Sequence, residues 1–214
     1  MSESRSASPL LINGPKKAAI TIVLAHGAGA PMDSTFMNII AESVAKSSAN
    51  TKVVRFEFPY MRMRRETGRR SAPDRAPVLL QSWRDVIADL GGADRLVIGG
   101  KSMGGRMASM IADEAGVRGL VCLGYPFHAP GRPELPRIAH LQKLRTPGLI
   151  LQGTRDSFGS PDEVAGYELS RSIRVEWIED GDHSFKPRAR SGRTEWQNLD
   201  QAISLIVDCL SSLK

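Results

Sequence analysis

The sequence predicts an α/β fold, a three-layer sandwich in which a mostly parallel central sheet is flanked by helices. Short runs rich in β-branched and apolar residues recur along the chain. Most are continuously apolar rather than alternating, the pattern of strands buried on both faces of a parallel sheet. Stretches of helical periodicity lie between them, so strand and helix alternate throughout. The 214 residues suit one domain with a sizeable core, and residues 9–214 are read as that domain.

The elements follow in order. Residues 1–8, MSESRSAS, read as a disordered terminus. Pro9 to Asn13 is a short edge strand, and Ala19 to Ala25 (AITIVLA) is the first buried one. A helical pattern covers Asp33 to Lys46, and Lys52 to Phe58 (KVVRFEF) returns to strand. The segment from Pro59 to Pro77 reads as a long connection holding six arginines. Long loops at the carboxyl ends of parallel strands are where binding surfaces are built. A helix over Ala76 to Leu90 leads to the strand Arg95 to Gly99 and to a helix from Met103 to Ala115. Along that helix Met103, Met107, Met110 and Ile111 recur at helical spacing and are expected to pack on the sheet. Gly119 to Leu123 and Pro147 to Gln152 are further buried strands. A short helix in PELPRIAHLQKL, which includes His140, lies between them. Pro161 to Ser170 reads as a helix, Ile173 to Ile178 as the last strand, and Thr194 to Leu213 as the closing helix.

Composition sets the bounds. Lys and Arg outnumber Asp and Glu by 29 to 23, for a net charge of +6, which alone does not indicate nucleic-acid binding. No zinc spacing, aromatic RNA-binding signature or repeat is visible. No stretch approaches the roughly 20 apolar residues of a membrane span, and the N-terminus lacks the apolar core of a signal peptide. A soluble, cytoplasmic protein is therefore expected. Cys122 and Cys209 fit that compartment as reduced core residues with no metal or disulfide role. Nothing in the sequence specifies an oligomeric state.

The chemistry concentrates in LVIGGKSMGGRMASMIA, where Ser102 is ringed by glycine. Gly100-Lys101-Ser102 matches the end of a phosphate-binding loop, which needs another glycine five positions before Gly100. That position is Arg95, and the residues between read as strand, so no such loop fits. Gly100-x-Ser102-x-Gly104 after a strand and before a helix instead has the setting of a nucleophile elbow. There the serine sits at the apex of a tight turn. Side chains at Gly100 and Gly104 would collide with the neighbouring strand and helix.

A serine hydroxyl needs a base, and the base needs an acid to orient it. After Ser102, the strand in LILQGTRDSFGSPDEV ends near Asp156, Asp162 and Glu163. Ser160, Pro161 and Glu163 read as a helix start with a capping box, which accounts for the later acids and leaves Asp156 as the orienting group. The expected chain order is Ser, then acid, then His; of the four histidines, only His183, in GDHSF, has that order and a strand-to-loop setting, so it is the candidate base. His26 lies before Ser102, and His128 follows the YPF turn, where it is a possible substrate contact. An oxyanion formed at Ser102 would need two N–H donors. Met103 is one, and Ala28 in HGAGA the other, with Gly27 and Gly29 allowing the bend.

AHGAGA, the segment from FEFPYM to GRRSAPDR, GGKSMGGRMAS, GYPFHAPGRPE, QGTRDSFG and GDHSF together resemble the α/β-hydrolase superfamily. They look most like its dienelactone-hydrolase-like branch, which also contains a testis-expressed protein and a subunit of a histone-acetylating complex. The resemblance runs from about residue 20 to 190. It implies an α/β-hydrolase sheet with nucleophile Ser102, acid Asp156 and base His183. Dienelactone hydrolases proper use cysteine where this chain has serine, so lactone specificity does not carry over.

Two functions fit these residues. One is a serine hydrolase acting on an ester, thioester or similar acyl bond of a small molecule, with no cofactor or metal. In that case Arg64, Arg65, Arg69 and Arg70 could contact a carboxylate or phosphate on an anionic substrate, or else form a solvated basic face. The other is a binding or scaffold protein that keeps the fold and uses its basic surface for a partner. The segment from Tyr125 to Pro147 is too short for the large lid that lipases carry, which disfavours large lipid substrates.

Overall fold

The structure, a computed structural model, describes residues 9–213; the predicted disordered terminus at 1–8 lies outside them. Seven strands form one sheet in the order β1-β3-β2-β4-β5-β6-β7. They are β1 (Leu10–Asn13), β2 (Ile20–Ala25), β3 (Thr51–Phe56), β4 (Leu96–Lys101), β5 (Gly119–Leu123), β6 (Gly148–Gly153) and β7 (Ile173–Ile178). Edge strand β1 pairs antiparallel with β3, and every other pairing is parallel.

The continuous apolar runs now have their reason. On β2, Val23 and Ala25 enter one core, while Ile22 and Leu24 enter the core on the opposite face. On β5, Leu120 and Cys122 face the first core and Val121 and Leu123 the second. With both faces covered, both side-chain sets of a strand are mostly apolar.

The helices are α1 (Thr35–Ser47), α2 (Pro59–Thr67), α3 (Ala76–Asp89), α4 (Met103–Ala115), α5 (Pro161–Ala165) and α6 (Glu195–Ser212). Helix α1 contributes Met37, Ile40, Ala41 and Val44, and α6 contributes Leu199, Ala202, Ile206 and Leu210, to one face. Helices α3 and α4 cover the other with Leu79, Trp83, Val86, Met107, Ala108 and Ile111. Among the described residues no helix is long and apolar enough to cross a membrane.

Four expectations are corrected. Residues 59–67 of the supposed loop are helix α2. Pro59 opens it at a position where a missing N–H costs nothing, Tyr60 and Met61 are buried, and Gly68 closes it in the left-handed region at φ 68°. Helix α5 ends at Ala165 rather than Ser170, with Gly166 at its C-cap. His140 stands before a single 3₁₀ turn, Leu141–Lys143, and not inside a helix; Pro133 and Pro136 remove the amides a longer helix needs. Met110 is exposed, because the buried face of α4 runs through Gly104, Met107, Ala108, Ile111 and Ala112 and leaves Met110 to one side.

Candidate active site

Chain order makes the location. From β2 the sheet grows through β3 to β1 on one side and from β4 to β7 on the other. The switch point lies between β2 and β4, and the crevice at the carboxyl ends of such strands is where parallel α/β sheets bind ligands. The residues leaving β2 are HGAGA, and the residue leaving β4 is Ser102.

Ser102 caps α4 with φ 49° and ψ −115°, a strained conformation for a residue bearing a side chain. The surrounding backbone holds it there: its N–H donates to the Leu123 carbonyl at 3.0 Å, and its carbonyl accepts from the Arg106 N–H at 3.0 Å. A Cβ on Gly100 would lie 2.1 Å from the Ala25 carbonyl oxygen, and one on Gly104 would lie 2.5 Å from the same atom. Both glycines are therefore required for β2 and α4 to close around the turn. The Met103 amide is in the first turn of α4, where N–H groups lack helical acceptors.

The HGAGA loop lies beside the turn, with the Cβ position of Gly27 3.7 Å from Ser102 Cβ. It is braced by His26, which sequence reasoning set aside. Its Nδ1–H donates to the Gly27 carbonyl at 2.7 Å, and its Nε2 accepts from the Phe58 N–H at 3.1 Å. These partners specify a neutral ring, and burial pushes its pKa down, consistent with that form. The Tyr60 hydroxyl adds hydrogen bonds to the Gly27 and Ala28 carbonyls at 3.2 and 3.0 Å.

Asp156 and His183 come from loops after β6 and β7. Asp156 is 2% exposed; its Oδ1 accepts from the Phe158 N–H at 2.9 Å and its Oδ2 lies 2.7 Å from His183 Nδ1. A carboxylate can only accept, so Nδ1 carries a proton, and in the neutral ring the lone pair is then on Nε2. The β7 loop crosses the end of β6 only because residue 153 is glycine: a Cβ there would meet the Gly181 carbonyl oxygen at 2.3 Å. Within the loop, the Asp182 carboxylate accepts from the Ser184 and Lys186 N–H groups. The imidazole, on a side chain 25% exposed, packs against the Phe158 ring at 4.3 Å between centroids.

Ser102 and His183 line one cavity of about 530 Å³, together with Ala28, Phe36, Met37, Lys101 and Phe158. The other named candidates are elsewhere. Arg64, Arg65 and Arg70 line a separate recess with Pro31 and Met61, and Arg69 lines neither. Arg65 is occupied, donating to Asp33 at 2.8 and 3.0 Å and to Glu57 at 2.6 and 3.2 Å. Buried His128 donates from Nδ1 to the Ala129 carbonyl and has Nε2 3.5 Å from Glu163, outside the Ser102 cavity. Among the described residues no group of three or more His, Cys, Asp or Glu is placed to hold a metal ion.

A model of the alpha/beta hydrolase domain matches residues 18–211. Among solved structures, an alpha-beta serine hydrolase homologue from Coxiella burnetii superposes with a TM-score of 0.71 at 18% identity, over 94% of this chain and 90% of that one. A serine hydrolase without lid from Xanthomonas campestris gives 0.64 at 18% identity, over 92% and 88%. A monoacylglycerol lipase from Paleococcus ferrophilus gives 0.70 at 15% identity, over 98% and 100%. At these identities the structures share the fold, and the family match spans nearly all of the sequence. The chain belongs to the alpha/beta hydrolase domain family.

Proposed function

We propose that the protein is a serine hydrolase that cleaves a carboxylic ester, thioester or similar acyl bond through an acyl-enzyme. The observation that carries this is the His183 Nδ1 to Asp156 Oδ2 contact of 2.7 Å, made by an imidazole that lines one cavity with Ser102. In the first half-reaction Ser102 Oγ bonds to the substrate carbonyl carbon while His183 Nε2 takes its proton. The N–H groups of Ala28 and Met103 hold the resulting oxyanion. Collapse expels the alcohol or thiol, which leaves with the proton from His183. Water then attacks the acyl-enzyme, again losing its proton to His183, and Ser102 is released with the acid product. Asp156 keeps the imidazole in the required tautomer and offsets its charge when protonated.

The apolar side chains of Phe36, Met37 and Phe158 around Ser102 support a compact acyl or alcohol group as substrate. We further read the chain as a member of the dienelactone-hydrolase-like branch, on AHGAGA, GGKSMGGRMAS and GDHSF, with serine replacing the cysteine nucleophile. Fluorophosphonate labelling tests the function: the parent protein is expected to label, and Ser102→Ala and His183→Ala are expected not to. Labelling that persists in Ser102→Ala, or none in a folded parent, would sink the reading.

A further inference from the structure

Lys101 immediately precedes Ser102, and its side chain does not behave as a surface lysine does. At a strand end a lysine ordinarily runs along apolar surface and leaves its ammonium in water. Here the stem passes Gly27, whose Cβ position is 3.4 Å from Lys101 Cγ. The ammonium donates to the backbone carbonyl of His183 and lies 5.4 Å from the centroid of the Phe36 ring. It occupies a niche that exists because residue 124 is glycine with φ 68°. A Cβ there would be 2.9 Å from Lys101 Nζ, 2.8 Å from the His183 carbonyl oxygen and 3.1 Å from His183 Nδ1. One side chain thus joins the ends of β4 and β5 to the loop after β7.

We propose that Lys101 is a positioning residue for the candidate base. Its ammonium, seated over Gly124, holds the His183 backbone and so keeps the imidazole aligned between Asp156 and the Ser102 cavity. The assignment rests on the hydrolase reading above. Seating a cation there has an electrostatic cost, since burial lowers the Lys101 ammonium to about 8, with Asp156 and Asp182 acting in the opposite direction. Those two carboxylates and His183 are the titratable groups facing it. Because the ammonium gives up its proton as pH rises through about 8, its hold on the carbonyl is strongest below that pH and weakens above it.

The test compares the parent with Lys101→Met and Gly124→Ala on an activated ester, with circular dichroism and melting to establish folding. Lys101→Met is expected to lower kcat by about 100-fold, the scale of a misplaced catalytic group, with KM little changed. Gly124→Ala, whose Cβ would crowd both the ammonium and the His183 carbonyl, is expected to lower kcat at least as much. The parent's kcat should decline as pH rises through about 8, and Lys101→Met should lack that limb. A Lys101→Met enzyme with the parent's kcat and pH profile overturns the assignment. So does a change confined to KM, which would make the ammonium a substrate contact. If Lys101→Met does not fold, the parent's fluorophosphonate labelling rate over the same pH range decides: a rate that holds steady through about 8 overturns it. A parent without Ser102-dependent turnover overturns the hydrolase reading itself, which keeps the two failures distinct.

Discussion

Ser102 is held at φ 49° and ψ −115°, a conformation that costs on the order of 1–3 kcal/mol and persists only where surrounding structure enforces it. Enforcement comes from backbone: the Ala25 carbonyl on one side, the Leu123 carbonyl on the other. Requirements imposed by backbone are legible in sequence, because only glycine satisfies them, and the G-x-S-x-G spacing stated them. Elimination among the acids of that loop points to Asp156, since Glu163 belongs with Ser160 to the capping box and Asp162 lies in the same first turn. Asp156→Asn should keep the site's shape but turn a pure acceptor into a group that can present N–H to His183. Turnover is expected to fall by about 10⁴, the scale such an exchange has in a serine protease. Steady-state rates on an activated ester, beside a melting curve matching the parent's, check this; a loss of a few-fold would remove Asp156 from its proposed role. Lys101 and His26 were not legible in these roles. Each acts through loops that are distant in sequence, and nothing local marks them.

At the scale of elements, cap chemistry read well and amphipathic balance read less well. The box at Ser160 and Glu163 was expected and is present, with the Ser160 N–H donating to Glu163 Oε2 at 2.7 Å. A second box, Thr194 with Gln197, opens α6. Removing the hydroxyl in Thr194→Ala should destabilise the protein by about 1 kcal/mol. Chemical denaturation is the measurement, and fluorophosphonate labelling of Ser102 should be unchanged because α6 packs on the core opposite α4. Helix α2 reads as loop in the sequence because its apolar face is only Tyr60 and Met61 amid arginines. Its start at Pro59 and stop at Gly68 were the available signals. Arg65 is neutralised by Asp33 and Glu57, and the recess lined by Arg64, Arg65 and Arg70 is separate from that of Ser102.

For the whole molecule, acid sensitivity follows from imidazoles held neutral. His140 Nε2 lies 2.8 Å from Ser109 Oγ and 3.3 Å from the Tyr125 hydroxyl oxygen; those hydroxyls donate to the Arg106 and Arg137 carbonyls, so Nε2 carries the proton of the neutral ring and donates to them. Burial, with Arg106 nearby, lowers it from 6.5 to about 4, and burial lowers His26 as well. The folded state therefore binds fewer protons than the unfolded state between about 4 and 6.5. Stability is fully present above that window and is lost as pH falls through it. The denaturation midpoint should drop on acidification across the window, and His140→Gln should flatten the slope. An identical slope in that variant would show that His140 is not a source of it.

By itself the sequence determined the alternation of strand and helix, the two-faced burial of the sheet, the elbow at Ser102 and the chain order of Ser102, Asp156 and His183. Each of these is written in local pattern: residue period, glycine where a Cβ cannot fit, and polar residues at strand ends. Tertiary structure alone decided which loops share a cavity. It brought Asp156 to 2.7 Å from His183, set Lys101 over Gly124, turned His26 and Tyr60 into braces for HGAGA, and placed Arg64, Arg65 and Arg70 along a separate recess. The physical reason is that strand order places side by side loops that the chain separates by scores of residues. A hydrogen bond across that separation depends on sheet register and twist, which no single segment specifies.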